Sequence, residues 1–211
     1  MDPIRTKRNE LLAQRVIKGL EARNMTGYYA ATKEEALQKA LELIPEGASI
    51  SWGGSMSIAE IGLKQAVVDG NYEVFNRDTA APEDRKAVER AAFGADWFLA
   101  SANAVTEDGI LVNIDGNSNR VACLAYGPEH VLFVVGMNKI AKNLDAALSR
   151  ARNEAAPVNA TRFQGKTPCC ATGACADCLS PDTICCQFLV TRYERHTGRY
   201  HIILVNDDLG F

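Results

Sequence analysis

Residues 48–60 read Ala-Ser-Ile-Ser-Trp-Gly-Gly-Ser-Met-Ser-Ile-Ala-Glu, and this stretch decides the fold class. Its first five residues, Ala48–Trp52, predict a short buried strand. Two glycines then turn the chain, and a helix is predicted over about Ser57–Val68. A strand that leads through a tight turn into a helix is the repeating unit of α/β proteins with a parallel sheet.

The same alternation of strand and helix continues on both sides of this stretch. Further strands are predicted at residues 28–31, 72–75, 97–101 and 131–135, and helices at residues 4–23, 32–43 and 141–154, with one more starting at Pro82. Trp97–Ser101 and Val131–Val135 are continuously apolar, which is typical of strands covered on both faces. The sequence therefore predicts an α/β fold with a mostly parallel, Rossmann-like sheet and helices on both faces.

Two hairpins are predicted in the rest of the chain. Ile110–Ile114 and Val121–Leu124 flank a connection rich in Asp, Gly and Asn, and Phe188–Glu194 and Tyr200–Val205 flank a second turn. We expect residues 1–156 to form the α/β core. Residues 157–211 are expected to form a small cysteine-rich subdomain, ending in the second hairpin and packed on that core as part of one domain.

Composition excludes several classes of partner. The 211 residues are 47% hydrophobic and 23% charged. The net charge is −3, so the chain lacks the excess of basic residues that is typical of nucleic-acid-binding proteins. The first ten residues lack the apolar core of a secretory signal. No apolar run approaches the roughly 18 residues of a membrane-spanning helix. We therefore expect a cytoplasmic protein that binds neither nucleic acid nor membrane.

The glycine turn is the first candidate binding motif. Free backbone amides at the start of the following helix, together with the Ser55 and Ser57 hydroxyls, suit a phosphate or carboxylate. The predicted ligand residues here are Gly53, Gly54, Ser55 and Ser57. Glu60 is expected about one turn into the helix, near the opening of the same binding site. The alternative is a purely structural strand-to-helix turn with Ser57 as the helix N-cap.

The polar connection around residues 113–120 is the second candidate motif. Asn113, Asp115, Asn117 and Arg120 are predicted to converge on a polar ligand, with Arg120 clamping a carboxylate through two hydrogen bonds. The alternative is ordinary turn chemistry, because Asp-Gly steps and asparagines tolerate positive φ angles.

Six of the seven cysteines lie in residues 169–186, named here the cysteine segment. Cys169, Cys175, Cys178 and Cys185 form a C-x5-C-x2-C-x6-C pattern, which predicts four thiolate ligands for zinc or an iron–sulphur cluster. The spacing differs from that of bacterial ferredoxins. Because Cys169-Cys170 and Cys185-Cys186 are adjacent pairs, at most one member of each is expected to bind the metal. A disulfide framework and a metal-free thiol cluster remain as alternatives.

Several segments together resemble one protein family. Gly53–Gly62, Thr106–Asn113, Gly116–Arg120 and Gly136–Ile140 are similar to the glycine-serine, T-x-x-G-x-L, G-N-x-x-R and G-x-x-K-I segments of the lactate-utilisation (LUD) domain family, also called DUF162. The cysteine-bearing C-terminal part resembles the family's shorter branch. The resemblance covers nearly the whole chain.

This resemblance implies a fold akin to that of sugar-phosphate isomerases and CoA-transferases, with ligands at the carboxyl ends of the strands. It places Gly53, Gly54, Ser55 and Glu60 on one side of a pocket and Asn113, Asp115, Asn117 and Arg120 on the other. It also implies a role in the oxidation of L-lactate to pyruvate, alongside other lactate-utilisation subunits and iron–sulphur centres. The chain itself lacks ferredoxin-type cysteine runs.

Three functions follow as hypotheses. The first is an accessory or electron-handling component of lactate oxidation, with a small carboxylate or phosphorylated ligand and a four-thiolate metal centre. The second is a sugar-phosphate isomerase or CoA-transferase-like enzyme that uses Glu60 as base or nucleophile. The third is a non-catalytic ligand or redox sensor switched by its thiols. Assembly into a homo-oligomer is left open.

Overall fold

The computed structural model describes residues 2–163 and 165–211. The strands are β1 (Thr26–Ala30), β2 (Ser49–Trp52), β3 (Glu73–Val74), β4 (Trp97–Ala100), β5 (Ala104–Thr106), β6 (Leu111–Asp115), β7 (His130–Gly136), β8 (Ile140–Ala141), β9 (Gln187–Thr191) and β10 (Tyr200–Val205). The α-helices are α1 (Pro3–Glu21), α2 (Lys33–Leu43), α3 (Met56–Glu60), α4 (Leu63–Asp69), α5 (Arg85–Ala91), α6 (Asn119–Ala125), α7 (Leu144–Arg150), α8 (Ala156–Ala160) and α9 (Pro168–Thr172). No helix within the described ranges is long and apolar enough to cross a membrane.

Six parallel strands form the larger sheet, in the order β1-β10-β7-β4-β2-β3. Successive side chains of β7 enter opposite cores: Val131 and Phe133 pack with residues of α1, whereas Leu132 and Val134 pack with residues of α2 and α4. This alternation explains why the strand is apolar at every position, because both of its faces are buried. The predicted α/β fold with a parallel sheet and flanking helices is confirmed.

The order of the strands reverses around β2. The chain passes from β2 outward to β3 and then returns to the other side of β2 as β4. Crossover connections that run in opposite directions leave a crevice at the carboxyl ends of the two strands where the direction changes, and ligands of open α/β sheets bind there. The fold therefore places a crevice beside the glycine turn that follows β2.

A smaller sheet of four strands, ordered β8-β5-β6-β9, packs beside the larger one. This sheet packs against the first part of a helical rod in which α7 continues through a π-helical turn, Ala151–Ala155, into α8. Pro157 lies in the first turn of α8. Proline lacks an amide proton and its ring clashes with the carbonyl four residues earlier, so a widened turn just before Pro157 lets the rod continue.

Two expectations about the connections were wrong. Val121–Leu124 lies in helix α6, and the strand that pairs with β6 in a hairpin is β5, joined to it through a turn at Gly109 (φ +89°). The predicted C-terminal hairpin does not form either, because β9 joins β6 in the small sheet and β10 inserts between β1 and β7 in the large one. A short apolar run fits a helix as well as a strand, and local pattern does not reveal the pairing partner.

The helix predicted after the glycine turn also differs in detail. Ser55, rather than Ser57, is the N-cap, and its hydroxyl accepts a hydrogen bond from the Ile58 amide at 3.4 Å. The helix then breaks at Gly62, which has a φ of +78°, so that α3 and α4 replace one continuous helix. A left-handed backbone of this kind is strained for residues with a Cβ atom, which explains the glycine.

Candidate functional site

A cavity of about 620 Å³ lies at the carboxyl ends of the central strands of the large sheet and is named here the strand-end cavity. Residues that follow four different strands line it: Gly54 after β2, Ser101 after β4, Lys139 after β7 and Gly210 beyond β10. Helix α6 and the segments around residues 162 and 183 complete the walls. The cavity occupies the crevice that the reversal of strand order creates.

Of the predicted glycine-turn residues, Gly54 and Ser55 line the cavity. Gly53 lies beneath it, and a Cβ atom at this position would be 2.8 Å from Cδ of Arg120. The glycine therefore allows the Arg120 side chain to cross directly over the backbone. Ser57 is fully buried, and its hydroxyl accepts a hydrogen bond from Lys139 at 3.0 Å.

Glu60 was expected near the glycine turn's binding site, but it is not among the residues that line the cavity. Its side chain is on the exposed surface of α3, and Oε2 accepts a hydrogen bond from the Gly210 amide at 3.0 Å. Gly210 itself lies against the Lys139 amine, since a Cβ atom there would be 3.3 Å from Nζ. Glu60 thus holds the backbone beyond β10 over Lys139.

The second predicted motif meets at Arg120, a partly buried residue at the start of α6. Asp115, Asn117 and Arg120 line the cavity, whereas Asn113 lies behind Arg120. The Arg120 terminal nitrogens donate to Asn113 Oδ1 at 2.7 Å and to the Ile114 carbonyl at 2.5 Å. They also donate to the Ser101 carbonyl at 3.2 Å and to Asn103 Oδ1 at 3.3 Å.

These bonds change the role expected for Arg120. Both terminal nitrogens already donate to protein oxygens, and Nε lies 3.7 Å from the Asp115 carboxylate. A two-point clamp on a ligand would have to replace several of these bonds. Arg120 instead ties the end of β4 to the end of β6 and so forms the rigid floor of the cavity.

Lys139 is the main cavity residue to which the sequence motifs assigned no role, although it is the lysine of the G-x-x-K-I segment. It ends the short 3-10 turn after β7, is 3% exposed, and donates from Nζ to the hydroxyls of Ser57 and Ser101, each at 3.0 Å. Burial first, then the positive charges of Arg150 and Arg120, lower the pKa of the Lys139 amine to about 7, against a smaller opposing effect of Glu60. The signal in the sequence was a lysine three residues after a continuously apolar strand.

Arg150 at the end of α7 supports the lysine from behind. Its Nε donates to the Asn138 carbonyl at 3.0 Å, and a terminal nitrogen donates to the Asn103 carbonyl. One side chain thus joins the turn that carries Lys139 to the segment that follows β4. The π-helical turn begins directly after Arg150, a local feature that recurs at functional sites.

Arg162 and Arg77 add positive charge to the cavity wall. Arg162 donates to Asn159 Oδ1 at 3.0 Å and lies over the Phe211 ring at 5.8 Å. Arg77 pairs with Glu89 at 3.0 Å. Within the part of the chain that the structure describes, neither Lys139 nor Arg162 forms an ion pair with a carboxylate. The cavity therefore holds two basic side chains whose charge the protein leaves uncompensated at short range.

The cysteine segment consists of most of the short helix α9 and the series of turns that comes after it. All seven cysteines of the chain are free thiols. The Cys170 thiol donates to the Ala160 carbonyl at 3.3 Å, and Cys186 is exposed. Cys185 is partly buried against the small sheet, and its pKa is raised to about 11 by burial and then by Cys175, Cys169 and Cys178. Cys169, Cys175 and Cys178 are therefore close enough to Cys185 to affect its titration.

The donor chemistry of these four thiols fits zinc or an iron–sulphur cluster. Their arrangement does not yet form a coordination shell: in residues 2–163 and 165–211, no group of three or more His, Cys, Asp or Glu side chains is placed to hold a metal ion. Binding would require the sulphurs to move closer together, as happens where metal binding is coupled to folding.

Comparisons with known proteins agree with this architecture. The structure is similar to the crystal structure of a DUF162 family protein from Deinococcus radiodurans, with a TM-score of 0.54 and 10% sequence identity over 93% of this chain and 97% of that one. Among curated proteins no significant match is found. The family model of the LUD domain matches residues 13–205. The chain therefore belongs to the LUD domain family, which is associated in general with lactate utilisation.

Proposed function

We propose that the strand-end cavity binds a small carboxylate, and that the protein acts as an accessory or electron-handling component in the oxidation of L-lactate to pyruvate. One observation carries this proposal. Lys139 and Arg162 enter a cavity at the crevice of the sheet, and neither is neutralised by a carboxylate of the described chain. A ligand with negative charge would supply the missing partner.

An unsatisfied donor in the cavity wall supports an acceptor-rich ligand. Arg77 Nε and Asn113 Nδ2 are buried without a hydrogen-bond partner among the described residues. A buried donor left unpaired costs about 1–3 kcal/mol, so such groups usually mark a place where a ligand or solvent accepts a hydrogen bond. Arg77 lines the cavity and is the donor that bears on a ligand there, whereas Asn113 is fully buried behind Arg120 and outside the lining.

The dimensions suit a small molecule. A volume of about 620 Å³ falls in the range of roughly 300–1,000 Å³ that is typical of ligand pockets. This space exceeds what one small hydroxy acid fills, so it also admits a phosphorylated ligand. Glu60 lies outside the lining and is engaged with Gly210, and its position does not favour the isomerase or CoA-transferase hypothesis.

The proposal includes a metal centre in the cysteine segment. Cys169, Cys175, Cys178 and Cys185 would hold it, because these four thiols lie near one another. An iron–sulphur cluster there would supply electron transfer, whereas zinc would stabilise a loop-rich segment. Metal analysis and visible absorption of anaerobically purified protein test this part, and a metal-free, colourless protein would contradict it.

Titration calorimetry tests the cavity. We expect L-lactate, pyruvate or inorganic phosphate to bind the wild-type protein, and the Arg162→Gln and Lys139→Met variants to bind at least about tenfold more weakly, the loss expected for one charge-assisted hydrogen bond. The exposed Arg195 offers a matched control, and Arg195→Gln should bind as the wild type does. Equal affinity of all four proteins, or no binding of these anions, would overturn the proposal.

A further inference from the structure

The Lys139 amine is buried and held by two serine hydroxyls, an environment that binding an anion does not require. The amine lies at the inner end of the strand-end cavity, between the hydroxyls of Ser57 and Ser101, with both Nζ–Oγ distances 3.0 Å. Ser101 lines the cavity beside it, and Ser57 lies on the far side. The amine therefore has a hydroxyl partner on each side and an open volume in front.

The charges around the amine favour its neutral form. Burial is the largest cause, the nearby cations Arg150 and Arg120 act in the same direction, and the anion Glu60 opposes them, which places the pKa of Lys139 at about 7. A substantial fraction of the amine therefore carries a free lone pair at neutral pH. A desolvated lysine of this kind is the nucleophile that enzymes use against carbonyl groups.

The basic wall of the cavity restricts the class of carbonyl compound. Arg162 has no carboxylate partner among the described residues, and Asn117 and Asn119 add neutral polar groups to the lining. A ligand that offers a carbonyl to Lys139 and a carboxylate to this wall is an oxo acid. Two adjacent groups of this kind occur in 2-oxo carboxylates, which are small enough for the cavity.

We infer that Lys139 is a nucleophile that forms an imine with the carbonyl carbon of a 2-oxo carboxylate held in the strand-end cavity. This inference rests on the proposed function, because it requires the cavity to bind carboxylates. The nitrogen lone pair adds to the carbonyl carbon, and one proton moves from the added nitrogen to the carbonyl oxygen, giving a neutral carbinolamine. That oxygen then takes a second proton, supplied by solvent, and leaves as water while the nitrogen lone pair forms the C=N bond, so a protonated imine remains. Nothing is oxidised or reduced, and hydrolysis reverses the step.

The two serines have distinct parts in this step. Ser101, which lines the cavity, is placed to pass protons between the amine and the departing oxygen. Ser57 is fully buried, so it orients the amine from behind without contacting the ligand. Ser101→Ala should therefore slow imine formation while leaving Lys139 as its site.

Trapping with cyanoborohydride tests the inference, with pyruvate as the probe. Reduction of the imine fixes the ligand to the protein, and the intact mass should rise by the mass of pyruvic acid less one oxygen atom. Peptide mapping of the wild-type protein should place the label on Lys139. Lys139→Arg should abolish the label, because arginine keeps the charge but has no nucleophilic amine at neutral pH. Lys142→Arg should retain it, since Lys142 is an exposed lysine paired with Glu107.

The outcomes separate this inference from the proposed function. Pyruvate that binds in calorimetry without labelling Lys139, or a label spread over surface lysines, overturns the imine and leaves carboxylate binding intact. A failure of L-lactate, pyruvate and phosphate to bind overturns the proposed function and the inference with it. Because mapping is done on the wild-type protein, a variant that fails to fold does not prevent a decision.

Discussion

The side chains of the strand-end cavity extend from the ends of buried strands, whereas the thiols of the cysteine segment extend from turns and one short helix. Ser101, Asn113 and Lys139 are at most 7% exposed, and each is hydrogen-bonded to a residue of another element. In the cysteine segment, Leu179 is 98% exposed. The comparison teaches that the cavity is built by the fold itself, while the shape of the cysteine segment depends on local turns and on what it binds.

The largest expected effect comes from removing Arg120, which holds the cavity floor. Arg120→Met leaves the Ser101 and Ile114 carbonyls and the Asn113 amide oxygen without their donor, and it leaves Asp115 without its ion pair. We expect the free energy of unfolding to fall by about 3–5 kcal/mol. Denaturant unfolding measures this, and a loss below about 1 kcal/mol would contradict the role of Arg120 as a structural floor.

The next effect is a pH dependence that Lys139 confers on stability. Because the pKa of Lys139 is about 7 when folded and near its ordinary value of 10.5 when unfolded, the unfolded chain binds more protons between these values. Stability should therefore rise with pH across this window, by up to about 1.4 kcal/mol per pH unit. The penalty for burying the charged amine is present in full below the folded pKa. Lys139→Met should lack this increase, and parallel slopes for the two proteins would count against the shifted pKa.

A smaller effect compares two neighbouring glycines. Gly53→Ala places a methyl group 2.8 Å from Arg120 Cδ, and Arg120 is held in place by its hydrogen bonds, so overpacking of about 1–3 kcal/mol is expected. Gly54→Ala meets no atom within 4 Å and should change stability by less than about 0.5 kcal/mol. Thermal unfolding of both variants measures the difference. Similar values for the two would show that Arg120 moves aside.

The smallest effect is expected in the cysteine segment. In metal-free protein, replacing Cys169, Cys175, Cys178 and Cys185 together by serine should change the free energy of unfolding by less than about 1 kcal/mol, because these residues are only partly buried. Zinc added to the wild-type protein should raise its melting temperature and leave the fourfold variant unchanged. If the metal-free fourfold variant lost much more free energy of unfolding than this, the thiols would contribute to the folded core without a metal.

The sequence predicted the sheet better than its connections, for a physical reason. Val131–Val135 is buried on both faces, so its pattern allows few alternatives. Val121–Leu124 is short and apolar. It was misassigned because four apolar residues in a row occur both in a buried strand and in one turn of a buried helix. The pairing of β10 depends on residues far away in the chain, which local pattern does not contain.

The candidate site divides in the same manner. Gly54, Ser55, Asp115, Asn117 and Arg120 were found from turn and loop composition, and they do line the cavity. Their role as ligand residues stays a prediction. Lys139, quoted only as part of the G-x-x-K-I segment, and Arg150 were assigned no role because a single basic residue has no periodic signal, and only the tertiary structure shows what surrounds it. The same limit applied to Glu60, whose contact with Gly210 spans 150 positions.

The position of β10 has a consequence for how the molecule folds. Its two neighbours in the sheet are β1 and β7, so strand β1, near the start of the chain, pairs only with residues 201–205 within the described part of the sheet. During synthesis, β1 must wait until residues 201–205 have emerged before it can pair. Such distant pairing makes folding slow and leaves the edge of β7 exposed to other chains in the meantime. Premature termination within the cysteine segment would therefore disrupt the centre of the large sheet, far from the missing residues.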